Sequence, residues 1–359
     1  MSLTLLQANT PTFSVDGERR ASLSLDVRRL EIDEDVYGMK RLSARFVAWG
    51  PREDQQGETE LYLDGRVFDF GRRLSVALGP QGGACTVFDG KVSAIEARYR
   101  EGAEPEALVF AEDALAALRL TRRSKTWERV SDADIARSIA AEHGLIPDVD
   151  ADGPTYPVVQ QFNQSDLAFL RERARLIAAE LWTLDGKLGF KRRDRRGGSG
   201  IELINGADLV ELQIRADLAH QRSATHVTGY DVAARDGIDG TVEGDVARAE
   251  APRGRLGSAV LAALGDYPGW RTREVPLDSD AARAWAQAQQ LQRARGFVAV
   301  RGITSGTPQL AVGATVTLAR VAAPFAGGGY HVTRVRHSYD EIDGHRTLFE
   351  AERPYLETP

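Results

Sequence analysis

The chain has 359 residues, 42% hydrophobic and 27% charged, with 52 acidic against 46 basic side chains and a formal net charge of −6. A chain of that length buries roughly three-quarters of its unfolded surface and usually divides it among more than one core. The acidic balance argues against tight, non-specific nucleic-acid binding, which needs a basic surface, and the single cysteine, Cys85, excludes an intrachain disulfide.

Residues Met1 to Ala8 carry neither a basic n-region nor a long apolar run, so the expectation is no secretory signal. No stretch approaches the roughly 20 apolar residues of a membrane span. Synthesis in the bacterial cytoplasm without a membrane anchor is therefore expected. Residues 1 to about 110 read as β-rich. Leu42, Ala44, Phe46 and Ala48 alternate with Arg41, Ser43, Arg45 and Val47, the period of a half-buried strand, and Leu74, Val76 and Leu78 repeat it. Arg52 to Glu60 reads as a loop. Cys85 precedes Thr86-Val87-Phe88 and reads as a small buried strand residue, not a reactive thiol. Asp89-Gly90, between Val87-Phe88 and Val92 to Ile95, gives a hairpin signal.

Helical spacing begins at Glu112 to Leu118. A second helix is expected over Asp132 to Glu142, capped by Ser131 or Asp132, stopped before Gly144, and apolar along Ile135, Ile139 and Ala140. A third is expected over Ser165 to Leu181, with Leu167, Leu170, Ala174, Ile177 and Ala178 on one face. Asp185-Gly186 then reads as a two-residue hairpin. Strand character returns at Ile201, and Ala224 to Asp231 reads as a strand leaving a barrel. Residues 235–257 read as an exposed loop. A helix over Ser279 to Arg295, with Ala282, Trp285, Ala288 and Gln289 at helical spacing, stops at Gly296.

The last fifty residues read as three short strands cut by glycine turns: Gln309 to Leu318, Gly327 to His337 and Gly344 to Ala351. Gly327-Gly328-Gly329 is expected to be a hairpin turn and not a phosphate loop, because a strand and not a helix follows it. Tyr330, Val332, Val335 and His337 share a face only if a β-bulge falls at Thr333-Arg334, so a bulge is expected within residues 332–335.

No residue pattern points to catalysis. Asp148-Val-Asp150-Ala-Asp152-Gly153 opens like a calcium loop, but Val159 stands where the bidentate acid belongs and Pro154 and Pro157 oppose an outgoing helix. An acidic surface turn is the preferred reading. His143, His220, His226, His331, His337 and His345 form no zinc spacing. His331 and His337 share strand parity, which allows a pair, though a barrel-surface or interface role is preferred. Lys187, Lys191, Arg192, Arg193, Arg195 and Arg196 cluster after the hairpin and read either as contacts to DNA or an acidic partner or, by preference, as a solvated loop tip. Catalytic, cofactor-binding and metal residues are accordingly expected to be none.

Four blocks in order carry a resemblance: Val87-Phe88-Asp89-Gly90-Lys91-Val92; Thr126 to Leu145; Gln161 to Arg171, running on to Asp185-Gly186; and the C-terminal segment ending Glu352-Arg353-Pro354. Together they resemble the tail-hub proteins of contractile injection machines, the phage late control D proteins and the N-terminal hub region of VgrG (valine-glycine repeat protein G) spikes. Gly229-Tyr230-Asp231 departs mildly, since relatives often carry tryptophan before the aspartate. The resemblance implies a mainly β fold of two related antiparallel β-barrels plus a small α+β domain, forming a trimeric ring. The expected division is residues 1–121, a first β-barrel; 122–200, an inserted α+β domain of two helices and a β-hairpin; and 201–359, a second β-barrel with a helical insertion at about 252–296.

It also implies a structural, non-enzymatic hub that joins a sixfold tail tube to a threefold central spike around an axial channel. The implied partners are two further copies of the chain, a separate central spike protein (expected because the chain stops at Pro359), a tail tube or tube-initiator protein, other baseplate proteins, and DNA or an effector in transit. The alternatives are a cell-wall hydrolase of a tail tip and a nucleic-acid-binding module using residues 187–196.

Overall fold

The computed structural model describes residues 10–51, 57–80, 83–231, 234–251, 253–271, 275–276 and 278–358. The N-terminal expectation and the 52–56 part of the expected 52–60 loop lie outside these residues. No helix among the described residues is long and apolar enough to cross a membrane.

Among the described residues one 13-stranded sheet organises the fold. Across it the strands run Leu209–Ala216, Val298–Thr304, Gly344–Arg353, Gly327–Asp340, Val27–Asp35, Arg41–Val47, Glu106–Glu112, Cys85–Arg98, Arg73–Leu78, Thr12–Val15 and Glu18–Arg19. Thr315–Ala319 pairs with the start of Gly327–Asp340, and Gly200–Ile204 lies parallel to Thr315–Ala319. Every other ladder of this sheet is antiparallel. The seam between its halves is the pairing of Gly327–Asp340 with Val27–Asp35, from Arg334↔Asp35 to Asp340↔Arg29. Residues some three hundred positions apart are thus hydrogen-bonded neighbours, and the sheet is continuous across two cores.

The first core is built from Phe13, Phe46, Phe68, Leu74, Phe88 and Val109 among others, the second from Leu203, Val300, Val316, Tyr330, Val332 and Phe349. Alternation explains the division: Leu42, Ala44, Phe46 and Ala48 face the first core while their neighbours face outward. In the second half, Gly200–Ile204 and Leu209–Ala216 meet in an isolated bridge, Asn205↔Leu209. Among the described residues no full ladder closes either half into a barrel.

A third core gathers Trp127, Ile135, Ile139, Tyr156, Leu170, Leu181 and Phe190, and takes in Val227, Ile238 and Trp285 from later in the chain. Its helix Asp132–Glu142 forms where the spacing places it, closed by a capping box between Ser131 and Asp134. The Asp185-Gly186 hairpin is present, with both residues at positive φ and Leu184 facing Lys187. Ser279–Arg295 is a helix with the expected bounds, capped by the Asp278 side chain.

Several expectations are corrected. The third helix ends at Leu176, because Ala178 takes φ 55° and the chain enters the strand Ala179–Leu184. Ala224–Asp231 is a strand, but it belongs to a separate three-stranded sheet with Asp236–Glu243 and Gly269–Arg271. Residues 235–257 are therefore not an exposed loop. They include that second strand and a 3₁₀ helix, Gly244–Ala249, whose Ala247 is buried with Ala251 and Leu256. Gln309 to Gly313 forms turns, and the strand starts at Thr315. Gly327-Gly328-Gly329 opens a strand instead of forming a turn; the backbone at Gly329 lies so close to the Tyr355 hydroxyl that a Cβ would stand 2.7 Å from it. Cys85 is half-exposed, not buried.

Asp89-Gly90 is not a turn either. It lies inside the uninterrupted strand Cys85–Arg98, which pairs first with Arg73–Leu78 and then with Glu106–Glu112. A Cβ on Gly90 would stand 2.3 Å from the Glu112 carbonyl oxygen and 2.7 Å from the Phe88 ring, so the glycine marks a close backbone approach. Gly90→Ala is expected to lower stability by about 2–3 kcal/mol through overpacking. An unchanged urea midpoint would contradict this.

The closing strands behave as their face pattern requires. Register slips between Val332 and Arg334 against Gly344–Arg353, a bulge at the expected place. Tyr330, Val332, Val335 and His337 are all buried as a result.

Candidate functional site

The basic cluster after the hairpin divides in two. Lys191 Nζ lies 2.7 Å from Asp148 Oδ1, and Arg195 meets Asp150 and, at 2.7 Å, Asp152. The acidic residues are only in part a surface turn, for Asp152 lies in the irregular stretch that follows a strand. Asp148 and Asp150 lie on the strand Ile146–Asp150, parallel to Lys187–Arg192, and all three carboxylates face cations on the adjacent segment. No group of three or more His, Cys, Asp or Glu side chains fit to hold a metal occurs among the described residues.

Arg193 and Arg196 turn inward. They sit three apart in the single helical turn Arg193–Arg196, which puts them on one face and Arg195 on the other. Both reach Glu180, a carboxylate only 4% exposed at the start of Ala179–Leu184. Arg193 Nε donates to Oε1 at 3.0 Å and Arg196 Nη1 to Oε2 at 3.0 Å. His331 Nε2 lies 3.1 Å from Oε1. Arg193 also pairs with Glu352 at 2.7 Å; Arg196 donates to the Val312 carbonyl at 2.9 Å and lies over the Trp182 ring at 4.3 Å. A Cβ on Gly313 would stand 2.3 Å from Arg196 Nε, so the glycine leaves room for the guanidinium. Nearby, Arg295 at the end of the long helix makes a forked pair with Glu250.

The reading of residues 187–196 as a solvated loop tip is corrected: two of the arginines are core ion-pair donors. Their carboxylate partners Glu180 and Glu352, with His331, come from three different strands. Burial by itself would raise the Glu180 pKa. The His331 hydrogen bond and the Arg193 and Arg196 charges outweigh it and hold the carboxyl far below its usual range. Burial lowers the His331 pKa, so the imidazole is neutral at pH 7 and donates its Nε2–H to Glu180. Glu250 is held low in the same way, its burial outweighed by the Arg295 hydrogen bond and charge. A carboxylate saturated by cations makes a poor general base, and the centre is suited to fixing segments, not to proton transfer. A crevice of about 400 Å³ opens beside it, lined by Tyr37, Arg171, Arg193, Arg295, Arg334 and Glu350 among others.

The histidines separate at the bulge. His331 faces Glu180, whereas His337 is buried against His345 and Thr347, with Nδ1 3.3 Å from His345 Nε2 and 3.1 Å from Thr347 Oγ1. A surface place for His337 is therefore corrected, and the pair formed is His337–His345, not His331–His337. Two further centres carry no sequence motif. Asp132 is buried beneath Arg173 and Tyr156, and Trp285 Nε1 donates to the Tyr156 hydroxyl at 3.2 Å, tying the long helix to the third core. Arg353 is fully buried between the rings of Tyr330 and Tyr355, at 4.2 and 4.5 Å, and donates to the carbonyls of Pro324, Ala326, Gly328 and Tyr355.

The family model of the Alg8 N-terminal domain matches residues 15–341. The chain belongs to this family. In this Alg8 N-terminal domain the matched span holds Glu180, Arg193, Arg196 and His331, and ends before His345, Glu352 and Arg353. No curated protein sequence matches the chain. Its fold is shared with phage tail proteins. The 43 kDa tail protein of prophage MuSo2 from Shewanella oneidensis superposes with TM-score 0.69 at 14% identity, over 97% of this chain and 99% of that one. A tail protein of Neisseria meningitidis MC58 gives 0.64 at 12% identity, over 96% of each. The E. coli c3393 protein, described as a type VI secretion system component similar in structure to the T4 bacteriophage tail proteins gp27 and gp5, gives 0.59 at 13% identity, over 93% of this chain and 76% of that one.

Proposed function

We propose that this chain is a structural component of a phage tail or phage-like injection particle, and that within it the chain is the hub joining tube to spike. The observation that carries the reading is the end-to-end likeness of fold to the Shewanella oneidensis tail protein, 97% of one chain on 99% of the other. The saturated state of the buried carboxylates supports a non-enzymatic role. The sheet adds a physical reason to assemble. Among the described residues its outer strand Leu209–Ala216 has one ladder, with Val298–Thr304, and beyond that only the single bridge Asn205↔Leu209, and it exposes Val210; an open edge is a template for another chain.

In this reading the chain divides into residues 1–121, 122–200 and 201–359, and three copies form a ring. Six similar half-sheets then face a sixfold tube on one side and a threefold spike on the other, around an axial channel for DNA or an effector. A spike protein, a tube or tube-initiator protein and other baseplate proteins are the partners. The chain is made in the cytoplasm and ends in the particle. Native mass measurement of the purified chain, followed by imaging of the particle that contains it, tests the reading. Three copies at the tube–spike junction are expected. A monomer at all concentrations, absent from any tail-like particle, would sink it.

A further inference from the structure

A groove of about 580 Å³ lies beside the strand Gly269–Arg271, lined by Leu218, Leu261, Leu264, Tyr267, Trp270 and Arg222 among others. Three of its apolar side chains are largely open to solvent: Leu264 at 64%, Tyr267 at 49% and Trp270 at 58%. Contiguous exposure of this kind marks interaction surfaces, whereas scattered single residues do not. The rings are held in place. The Tyr267 hydroxyl donates to the Leu264 carbonyl at 3.2 Å, and the Trp270 ring stacks on His226 with centroids 5.1 Å apart and planes 19° apart. A groove of fixed rings binds without first having to order them.

On the face of that strand opposite Trp270, where Gly269 points, lies positive charge from Arg293 and Arg222. Arg293 packs flat on Gly269, where a Cβ would stand 2.2 Å from its Nη1, and donates to Thr225 Oγ1 at 3.3 Å. Arg222 donates to the carbonyls of Ala219 and Gln221. Neither has a carboxylate partner among the described residues. Burial, and then the charges of Arg222 and Arg271, lower the Arg293 pKa, the direction expected of crowded like charges. Asp266 is the carboxylate on the rim, and it accepts from the Ser223 hydroxyl. In a chain of net charge −6, whose arginines elsewhere mostly face carboxylates, this basic pair behind an apolar groove stands out.

Gly269–Arg271 is moreover one of the two outer strands of its three-stranded sheet among the described residues. An extended segment laid along such a strand sends alternate side chains to opposite sides. One set then meets the leucines and rings and the other meets the arginines. The aliphatic lining of Leu218, Leu261 and Leu264 suits side chains better than a sugar-phosphate backbone. We infer that this groove docks an extended segment of a partner protein in which carboxylates alternate with large apolar side chains. The inference is independent of the hub reading.

The test uses the full chain and a fluorescent peptide of about ten residues alternating Glu and Leu, long enough to span a strand. Gln/Leu and Glu/Ser peptides and a thymidine oligonucleotide of matched length serve as comparisons, read by anisotropy at low salt. The Glu/Leu peptide is expected to bind about tenfold or more tighter than each comparison. The double variant Arg222→Gln/Arg293→Gln and, separately, Trp270→Ser are expected to weaken it by a similar factor. Trp270 is exposed, so Trp270→Ser is expected to keep the wild-type melting curve. Equal binding of the Gln/Leu peptide, unchanged affinity in a folded Trp270→Ser chain, or preference for the oligonucleotide would each overturn the inference.

Discussion

Glu180→Ala is expected to destabilise the chain by about 3–5 kcal/mol, the range for removing one partner of a buried ion pair and stranding its counter-charges. Two guanidinium groups, those of Arg193 and Arg196, would remain in the interior with their shared acceptor gone, and His331 would lose the acceptor of its Nε2–H. Glu352 still meets Arg193 at 2.7 Å, but Arg196 would be left with Glu34 at 3.8 Å and the Val312 carbonyl. Arg196 should therefore carry most of the loss. That gives a second expectation: Glu180→Leu with Arg196→Met removes carboxylate and unpaired cation together and recovers part of the loss. The pH dependence follows from the sign of the shift. A carboxyl held below its ordinary range adds stability at pH above the unfolded value, and the addition is lost only as pH falls through the low folded value. The difference between wild type and variant should thus be constant from pH 8 to about 7, where His331 is neutral, and the carboxyl's own share of it should shrink only below its unfolded value near 4. Urea denaturation at pH 7 measures it, and a loss under about 1 kcal/mol would mean the centre is no more than a solvated surface pair.

The centre around Glu180 shows what the sequence could and could not reveal. The basic run 187–196 is visible as composition, but composition does not say which arginines turn inward. That depends on one helical turn, Arg193–Arg196, which sets residues three apart on the buried face and leaves Arg195 to Asp150 and Asp152. The partners arrive from Val27–Asp35, Ala179–Leu184, Gly327–Asp340 and Gly344–Arg353, so no local pattern contains them. Local signals did locate local structure. The helices Asp132–Glu142 and Ser279–Arg295 and the hairpin at Asp185-Gly186 follow from caps, spacing and turn residues, and the bulge follows from asking how Tyr330, Val332, Val335 and His337 could share one face. The failures have a common cause. Asp89-Gly90 has turn chemistry, but there the glycine answers to the Glu112 backbone beside it. Residues 235–257 look like a loop by composition, yet they pair with Ala224–Asp231 and pack on the long helix. In the first the Glu112 backbone, and in the second the neighbouring strand together with the long helix, overrode the local reading.

Acid should attack the second half of the sheet through His337 and His345. Burial, then the charges of His345 and Lys40, push the His337 pKa down to about 3, against a hydrogen bond to the Leu310 backbone that raises it. Burial and the Arg346 charge push His345 down to about 4. Both imidazoles are neutral in the folded chain at pH 7, while an unfolded histidine titrates near 6.5. A group whose folded pKa is depressed contributes stability that is complete above the unfolded pKa and is lost as pH falls through the folded one. The window therefore opens near pH 6.5, and by pH 4 each imidazole has withdrawn about 3 kcal/mol. Carboxylates held low, such as Asp33 and Glu250, withdraw theirs only below their unfolded values near 4; Asp113 and Asp132, raised by burial, act with the opposite sign as pH falls, but they are common to wild type and variant, so the difference between the two chains from pH 6.5 to about 4.5 reports the histidines. His331, also lowered, contributes there too and stays in place as a background. The double variant His337→Gln/His345→Gln keeps polar groups near Thr347 while removing the titration. It is expected to lose markedly less stability than wild type between pH 7 and 4.5, although it starts lower at pH 7 because the packing is altered. Protonation would also strain the Ser305 to Leu310 connection, because Gly306 lies against the His345 ring and the Thr307 N–H donates to Thr347 Oγ1 at 3.0 Å. Amide exchange in that connection should accordingly rise before exchange in the strands does. Parallel pH profiles for wild type and double variant across this interval would show that the buried pair is not the acid-sensitive element.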